Sequence, residues 1–479
     1  MKIAGNKKFL QRRRWQSFLI NRYRYRWIII LLCFILTACV NKTKRPPNII
    51  LILADDLGIG IPGSYGGRQA HTPFIDELAH EGMKFTQAYT GNSLCTPSRT
   101  VLLTGLHSGH TALRGNTGGI YLPDSSFTLA EALKEKGYIT GGFGKWGLGD
   151  VQTPGVPEKQ GFDLFFGYYH QVHAHHYYTN YLWRNSVKVP LPGDSTPASY
   201  GPYIIMDEMK SFIRTNKDKP FFCFAPWIYP HTDDDDNPVI PASDTINRQY
   251  ENMNWPEKKK QFAGMIGRLD ADIGQVLALL KELNIDDNTI VIFCSDNGGD
   301  SKYLEDCNGG YRGAKRTFYE GGIRTPLIIR WPGKIKPETV SDLQVYFPDI
   351  MPTLTDIADV NISNHRTDGI SFLPTLLGKQ QTQKHDFMYW ENPDYDWDKK
   401  IYPPEKLHQA IRSGDWKLLR HDTRAPWELY NITTDPFETT DVADKHPDIV
   451  SRLELLIKQN HIDLRVQEEP EMPAGKEYR

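Results

Sequence analysis

Two short runs, Asn48–Ala54 (NIILILA) and Thr289–Ser295 (TIVIFCS), are almost wholly apolar, and each stops on a pair of polar side chains, Asp55-Asp56 and Asp296-Asn297. A continuous apolar run of this length, without alternation, suits a strand covered on both faces, which is the environment inside a parallel sheet. Phe221–Ala225 and Leu327–Trp331 read the same way. Between them lie stretches of helical period: Phe74–Glu81, Leu129–Lys136 and Phe262–Leu283. The last aligns Phe262, Ile266, Leu269, Ile273, Val276, Leu277 and Leu280 along one stripe. Strands alternating with helices predict an α/β fold, a large doubly wound sheet, mixed but mostly parallel, flanked by helices.

Beyond a short helix at Asp368–Gly378 comes a polar stretch, Lys379–His385, and then three short strand-like runs, Met388–Glu391, Leu407–Ser413 and Trp416–Leu419. With a final helix over about Asp448–Asn460, they predict a smaller C-terminal α+β subdomain, an antiparallel sheet plus helix. The expected division is a catalytic domain over 47–378 and the subdomain over 379–479. The 479 residues are long enough for both.

Residues 1–26 are basic, with Lys2, Lys7, Lys8, Arg12, Arg13, Arg14, Arg22, Arg24 and Arg26 and no acid. They run into the apolar Trp27–Ala38 and then Cys39. That is the layout of a secretory signal, and the apolar run is short of the about 20 residues a membrane span needs. Leu36-Thr37-Ala38-Cys39 resembles the bacterial lipoprotein box, which implies cleavage before Cys39 and lipidation of its thiol; a plain signal peptide or an uncleaved anchor is the alternative. Residues 1–39 are therefore expected to be the leader and 40–46 a tether. The expected location is an exported lipoprotein on the periplasmic side of the membrane, or at the cell surface, with the lipid anchor as its membrane contact. A formal net charge of −2 gives no polybasic field, and no nucleic-acid partner is expected.

The two acidic pairs sit where open α/β sheets bind ligands, beyond the carboxyl ends of strands. Adjacent carboxylates in one pocket need a counter-cation. Asp55, Asp56, Asp296 and Asn297 offer only oxygen, which suits calcium or magnesium better than zinc. Of six cysteines, Cys33 and Cys39 belong to the leader, and Cys223 and Cys294 lie in strand-like runs. Cys95 stands in a polar segment, Cys95-Thr96-Pro97-Ser98-Arg99-Thr100. Pro97 fits a first helical turn, and Ser93 or Thr96 could cap it. A cysteine at a helix start, with Arg99 one turn on, reads as a thiol of lowered pKa or as part of a capped helix.

Cys95-Thr96-Pro97-Ser98-Arg99 followed by Thr100-Val101-Leu102-Leu103-Thr104-Gly105 resembles the signature of the type I sulfatases of the alkaline phosphatase superfamily. The likeness extends over Asn48–Gly58, Thr72–Phe74, Gly144–Gly149, Gly161–Gly167, Pro230-His231, Ser295–Gly299, Gly313–Pro326, Trp416-Lys417 and Glu428–Asp435. The resemblance implies that Cys95 becomes formylglycine, through a formylglycine-generating maturation enzyme. It further implies that Asp55, Asp56, Asp296, Asn297 and the modified residue 95 hold the cation, calcium rather than magnesium. One hydroxyl of the aldehyde hydrate would attack sulfur and expel the alcohol; the other would then release sulfate. Arg99, Lys145 and Lys315 would neutralise the sulfate, and His231 would protonate the leaving oxygen. His175, His176 and Arg312 are expected to contact substrate.

One position departs from the family pattern. Gly144-Lys145-Trp146-Gly147-Leu148-Gly149 carries glycine where the family usually has histidine, and His173, His175 and His176 are candidates for its duty. A similar HAHHYY stretch beside the same glycine occurs in a group of bacterial carbohydrate sulfatases that the chain resembles. Tyr177, Tyr178, Tyr181, Trp183, Trp390, Tyr395 and Trp397 are candidates to cover sugar faces. The Asp233–Asp236 run reads as a solvated loop. The expected substrate is a sulfated glycan, with a galactose or N-acetylgalactosamine sulfate from host or algal polysaccharide as the choice. The alternatives are a phosphonate or phosphate monoester hydrolase of the same superfamily, or a decayed glycan-binding lipoprotein. Peptide mass spectrometry of the segment around Cys95, from a host that matures sulfatases, is expected to show the aldehyde; an unmodified thiol would favour the decayed protein.

Overall fold

The computed structural model describes residues 45–116, 120–300, 302–396 and 401–463. The leader, Cys39 with its lipidation, and Trp397 lie outside the described residues. Ten strands form one sheet: β1 (Asn48–Ala54), β2 (Met83–Tyr89), β3 (Ile139–Lys145), β4 (Leu164–Tyr168), β5 (Tyr181–Arg184), β6 (Val187–Pro190), β7 (Phe221–Pro226), β8 (Thr289–Ser295), β9 (Leu327–Arg330) and β10 (Thr339–Tyr346). Their order is β10-β2-β9-β8-β1-β7-β3-β4-β5-β6. The core run β8-β1-β7-β3-β4 is parallel throughout, and every residue of β1, β7 and β8 is buried. The unalternating apolar runs thus have the two-sided burial expected of them.

Helices α1 (Pro73–His80), α2 (Cys95–Thr104), α3 (Leu129–Lys134), α4 (Gln171–Ala174), α5 (Gly201–Asn216), α6 (Glu257–Glu282), α7 (Glu320–Ile323), α8 (Ile350–Ala358) and α9 (Leu373–Leu376) accompany this sheet. Two apolar layers result. Ile49, Leu51 and Leu53 face the side of α2, α3 and α8. Ile50, Ile52 and Ala54 face the stripe of α6, with Phe262, Ile266, Leu269 and Ile273. Alternate residues of one strand feed opposite cores, as the pleat requires. Among the described residues no helix is long and apolar enough to cross a membrane.

Two expectations are corrected and one strand went unread. Leu327–Arg330 is a buried strand, but it runs antiparallel to both β8 and β2. The chain leaves β8 at the sheet's carboxyl end, stays there through Lys315 and α7, and returns without a crossover helix, so it must run back. The helix expected over Asp368–Gly378 is confined to Leu373–Leu376; the Asp368 backbone N–H is committed to Gly105 O at 2.8 Å and its carboxylate to the His107 N–H at 2.9 Å. The glycine-rich β3 escaped notice as a strand. A Cβ on Gly144 would come within 2.1 Å of Pro226 O, so the strand is glycine-rich because its neighbour lies close.

The second sheet, β11 (Met388–Pro393), β12 (Leu407–Ser413), β13 (Trp416–Arg420) and β14 (Glu428–Asn431), is antiparallel and backed by α10 (Pro447–Asn460). Lys417 on β13 is fully buried, and its ammonium lies 3.0 Å from Glu320 Oε1 at the head of α7 and 2.9 Å from Glu438 Oε1. Burial tends to raise the Glu320 carboxyl, but Lys417, Arg324 and Arg412 bring it down to about 2. This ion cluster ties the small sheet to the loop that returns from β8. Removing one member strands the others' charge in low dielectric. Lys417→Met is expected to cost about 3–5 kcal/mol of stability, read as a lowered midpoint in urea unfolding.

Candidate active site

The register of β1 on β8 pairs Ala54 with Ser295, so the residues that follow, Asp55-Asp56 and Asp296-Asn297, emerge side by side at the sheet's carboxyl edge. Asp56 holds a left-handed backbone, φ 66°, a conformation that aspartate adopts more readily than most residues. Its N–H donates to Asp296 Oδ1 at 3.1 Å, while Asn297 Nδ2 donates to Asp56 Oδ1 at 2.7 Å. Asn297 Oδ1 is buried with no hydrogen-bond partner among the described residues. Helix α2 brings Cys95 to the same place, its Sγ 3.4 Å from Asp55 Oδ1. One ligand atom from each of Asp55, Asp56, Cys95 and Asp296 lies within 4.8 Å of the others, and all four residues are buried.

Three cations close the group. Arg99 puts Nε and an Nη 3.1 and 2.9 Å from Asp296 Oδ2, and another Nη donates to Lys145 O at 2.6 Å. Lys145, the last residue of β3, bonds Asp55 Oδ2 at 2.8 Å. Lys315, on the return from β8, bonds Asp56 Oδ2 at 2.7 Å. Burial works to raise the Asp55 carboxyl, yet Lys145, then Arg99 and Lys315, hold it well below the usual range. Asp296 is not so compensated. Burial and then Asp55 push it up to about 7 despite Arg99. Full ionisation of Asp296 therefore calls for more positive charge than Arg99 gives it. A hard divalent cation fits that need, with Asn297 Oδ1 as a further neutral oxygen donor.

The thiol reading of Cys95 is overturned. Burial, and after it the Asp55 carboxylate, pushes its pKa up rather than down. An arginine one turn along the helix does not help, because Arg99 is spent on Asp296. The cap expectation also changes: Leu94 is the N-cap and neither Ser93 nor Thr96 caps it. Instead Asn116 Oδ1 accepts from the Thr96 N–H at 3.0 Å. As an unmodified thiol, Cys95 is a poor nucleophile.

His231 joins from the loop after β7. Its Nδ1–H donates to Thr232 O at 2.6 Å, and since a carbonyl only accepts, Nε2 is left to accept from Lys315 Nζ at 3.2 Å. Burial, with Lys315 next, brings the ring down to about 3, so it is neutral and the shared proton sits on the lysine. Tyr177 OH, bonded to Ile228 O at 2.8 Å and His231 O at 2.5 Å, fixes this loop.

The remaining expected residues part company. His175 stacks on His231, ring centroids 4.3 Å apart and 13° from parallel. His176 lies beside it, and both bond Asp234, His175 Nδ1 to Oδ1 at 2.6 Å and His176 Nε2 to Oδ2 at 3.2 Å. His173 is instead buried against Tyr168 and Tyr181, with Nε2 2.9 Å from Thr179 Oγ1, and burial brings it to about 3. It belongs to the core. Arg312 stacks on Tyr319 at 4.0 Å and bonds Tyr430 Oη and Glu438 O at 2.8 and 2.9 Å, bridging to the second sheet. Tyr177, Trp183 and Trp390 are buried packing rings, whereas Tyr178 borders an open cleft with His175 and His176. The Asp233–Asp236 run is not merely solvated: beyond Asp234, Asp236 pairs with Lys302 at 2.7 Å. Asn116 and Asp234 went unremarked in the sequence, and the run of four aspartates was the only sign of the latter.

The sulfatase family model matches residues 47–360, and a model described as N-sulphoglucosamine sulphohydrolase, C-terminal, matches 310–463. Human arylsulfatase A is 30% identical over 86% of this chain and 87% of its own length. An N-acetylgalactosamine-6-O-sulfatase of Bacteroides thetaiotaomicron is 30% identical over 88% of this chain and 96% of its own. Among solved structures, Ps i-CgsB in complex with k-i-k-neocarrahexaose superposes with a TM-score of 0.75 at 27% identity, covering 87% of this chain and 93% of that one. A match over most of the described chain, joined to full-length relatives of the same activity, establishes that the chain belongs to the sulfatase family and is a sulfuric ester hydrolase.

Proposed function

We propose that this sulfatase removes sulfate from a carbohydrate, at a centre formed by residue 95 as formylglycine and a divalent cation held by Asp55, Asp56, Asp296 and Asn297. The observation that carries this reading is the buried cluster of Asp55, Asp56, Cys95 and Asp296, in which Asp296 stays incompletely compensated. All-oxygen donors favour calcium over magnesium, which demands stricter octahedral geometry. When present, the aldehyde hydrate and the cation together supply an activated hydroxyl and a Lewis acid for sulfate oxygens.

The chain's own residues do the rest. Arg99 is fixed by Asp296 and the Lys145 carbonyl, so its charge is pre-aligned. Lys145 and Lys315, paired with Asp55 and Asp56, line the pocket as ammonium groups for the anionic sulfate. Lys315 carries the proton that His231 Nε2 accepts, and the pair is placed to protonate the departing sugar oxygen. The carbohydrate reading is supported by relatives named for N-acetylgalactosamine-6-sulfate and by a structural neighbour complexed with a neocarrahexaose. A galactose or N-acetylgalactosamine sulfate is the proposed substrate. Export as a lipoprotein anchored through Cys39, maturation by a formylglycine-generating enzyme, and a domain division near residue 378 are part of the same reading and rest on the sequence.

Rates on defined sulfated mono- and disaccharides, set beside aryl sulfate and aryl phosphate, test it: a preference for phosphorus esters would overturn the choice. Lys315→Ala is expected to lower kcat by about 10²–10³, the scale of losing one charge-stabilising donor. Chelation is expected to abolish turnover and lower Tm, with calcium restoring both; at a hundredfold excess over Kd the bound ion stabilises by about 2.7 kcal/mol.

A further inference from the structure

We propose that Asp234 is a positioning residue of this site: its carboxylate clamps His175 and His176 so that His175 presents an unprotonated Nε2 as the site's proton acceptor. This rests on the sulfatase reading above. Position 147, on the loop after β3, is glycine at φ 72°, and the Gln171 side chain of α4 lies 3.2 Å from where its Cβ would be. Glycine itself offers no functional group, and a larger residue there would be strained by that φ and would crowd the Gln171 side chain. The imidazoles that reach the site come instead from the chain just beyond α4 and from the loop after β7.

Hydrogen bonding sorts them. His231 Nε2 is taken up by Lys315. His170 Nδ1 accepts from the Val172 N–H at 3.2 Å, capping α4. His173 faces Thr179 in the core, and His176 gives Nε2 to Asp234. In His175 the 2.6 Å contact with an acceptor-only carboxylate fixes the proton on Nδ1. Its Nε2 has no hydrogen-bond partner among the described residues. The ring lies over His231, close enough to feel the charges of Lys145 and Asp55. His175 also lines a cleft of about 590 Å³, bordered by Tyr178, Asp233, Asp234 and Asp235. A base with one nitrogen held by a carboxylate and the other left to accept a proton is the arrangement that makes imidazole effective. In the transfer an O–H bond of the reacting pair breaks, its electron pair stays on oxygen, and an N–H bond forms at Nε2. Asp234 then faces an imidazolium, and the proton leaves through the cleft to water.

The test uses the full-length, formylglycine-bearing protein with 6-sulfated N-acetylgalactosamine and 4-nitrophenyl sulfate as probes. His175→Ala is expected to lower kcat about a hundredfold, and Asp234→Asn about tenfold, with KM within about twofold of wild type. Asp234→Glu should recover most of the loss. The double variant should be no worse than His175→Ala alone, since Asp234 acts through that ring. Histidine-selective ¹⁵N NMR reads the tautomer without turnover: His175 should be Nδ1–H in the wild type and mixed in Asp234→Asn. Wild-type kcat in Asp234→Asn, losses that add in the double variant, or an Nε2–H tautomer in the wild type would each overturn the clamp. A wild type without sulfate release but with the Nδ1–H tautomer lost in Asp234→Asn would overturn the sulfatase reading and leave the clamp standing.

Discussion

Three carboxylates, Asp55, Asp56 and Asp296, lie buried together at the carboxyl edge of a sheet, and the surrounding structure answers their repulsion. Each has its own cation, Lys145, Lys315 and Arg99, and each cation comes from a different element: the end of β3, the return from β8, and α2. That requirement explains why the main sheet's loops converge here. Low dielectric makes both the repulsion and its compensation large. Asp296 remains the least well neutralised, which is the electrostatic opening a hard cation would fill.

The same field decides the fate of residue 95. A thiol set among carboxylates and cut off from water resists ionisation, which makes it a poor nucleophile. An uncharged oxygen nucleophile is under no such penalty. The site's polarity thus accords with the proposal that residue 95 acts as an aldehyde hydrate rather than as a thiol. Buried charge is used again far from the chemistry, where Lys417 sits between Glu320 and Glu438 and binds the second sheet to the first.

Much of the architecture was legible because the relevant signals are local. The runs at β1 and β8, the stripe of α6 and the strands of the small sheet follow from periodicity alone. The direction of β9 was not legible, since nothing in Leu327–Arg330 records that the preceding segment stays at one end of the sheet. β3 was hidden by its glycines, whose reason is the closeness of Pro226 on another strand. The aromatic residues told little about a sugar site, because Trp390 and Tyr177 look the same in sequence whether they pack inside or face a ligand.

The sequence by itself determined the chemistry available at the sheet edge: oxygen ligands after two strands, a cysteine motif with Arg99, and glycine at 147. These are properties of residue type and spacing. The tertiary structure decided which groups meet and in what protonation state. It set Lys315 against His231, drew His173 into the core, joined Asp234 to His175 across 59 positions of chain, and raised the Cys95 thiol out of reach. Proton positions and pKa values depend on burial and on partners distant in sequence, and neither exists until the chain has folded.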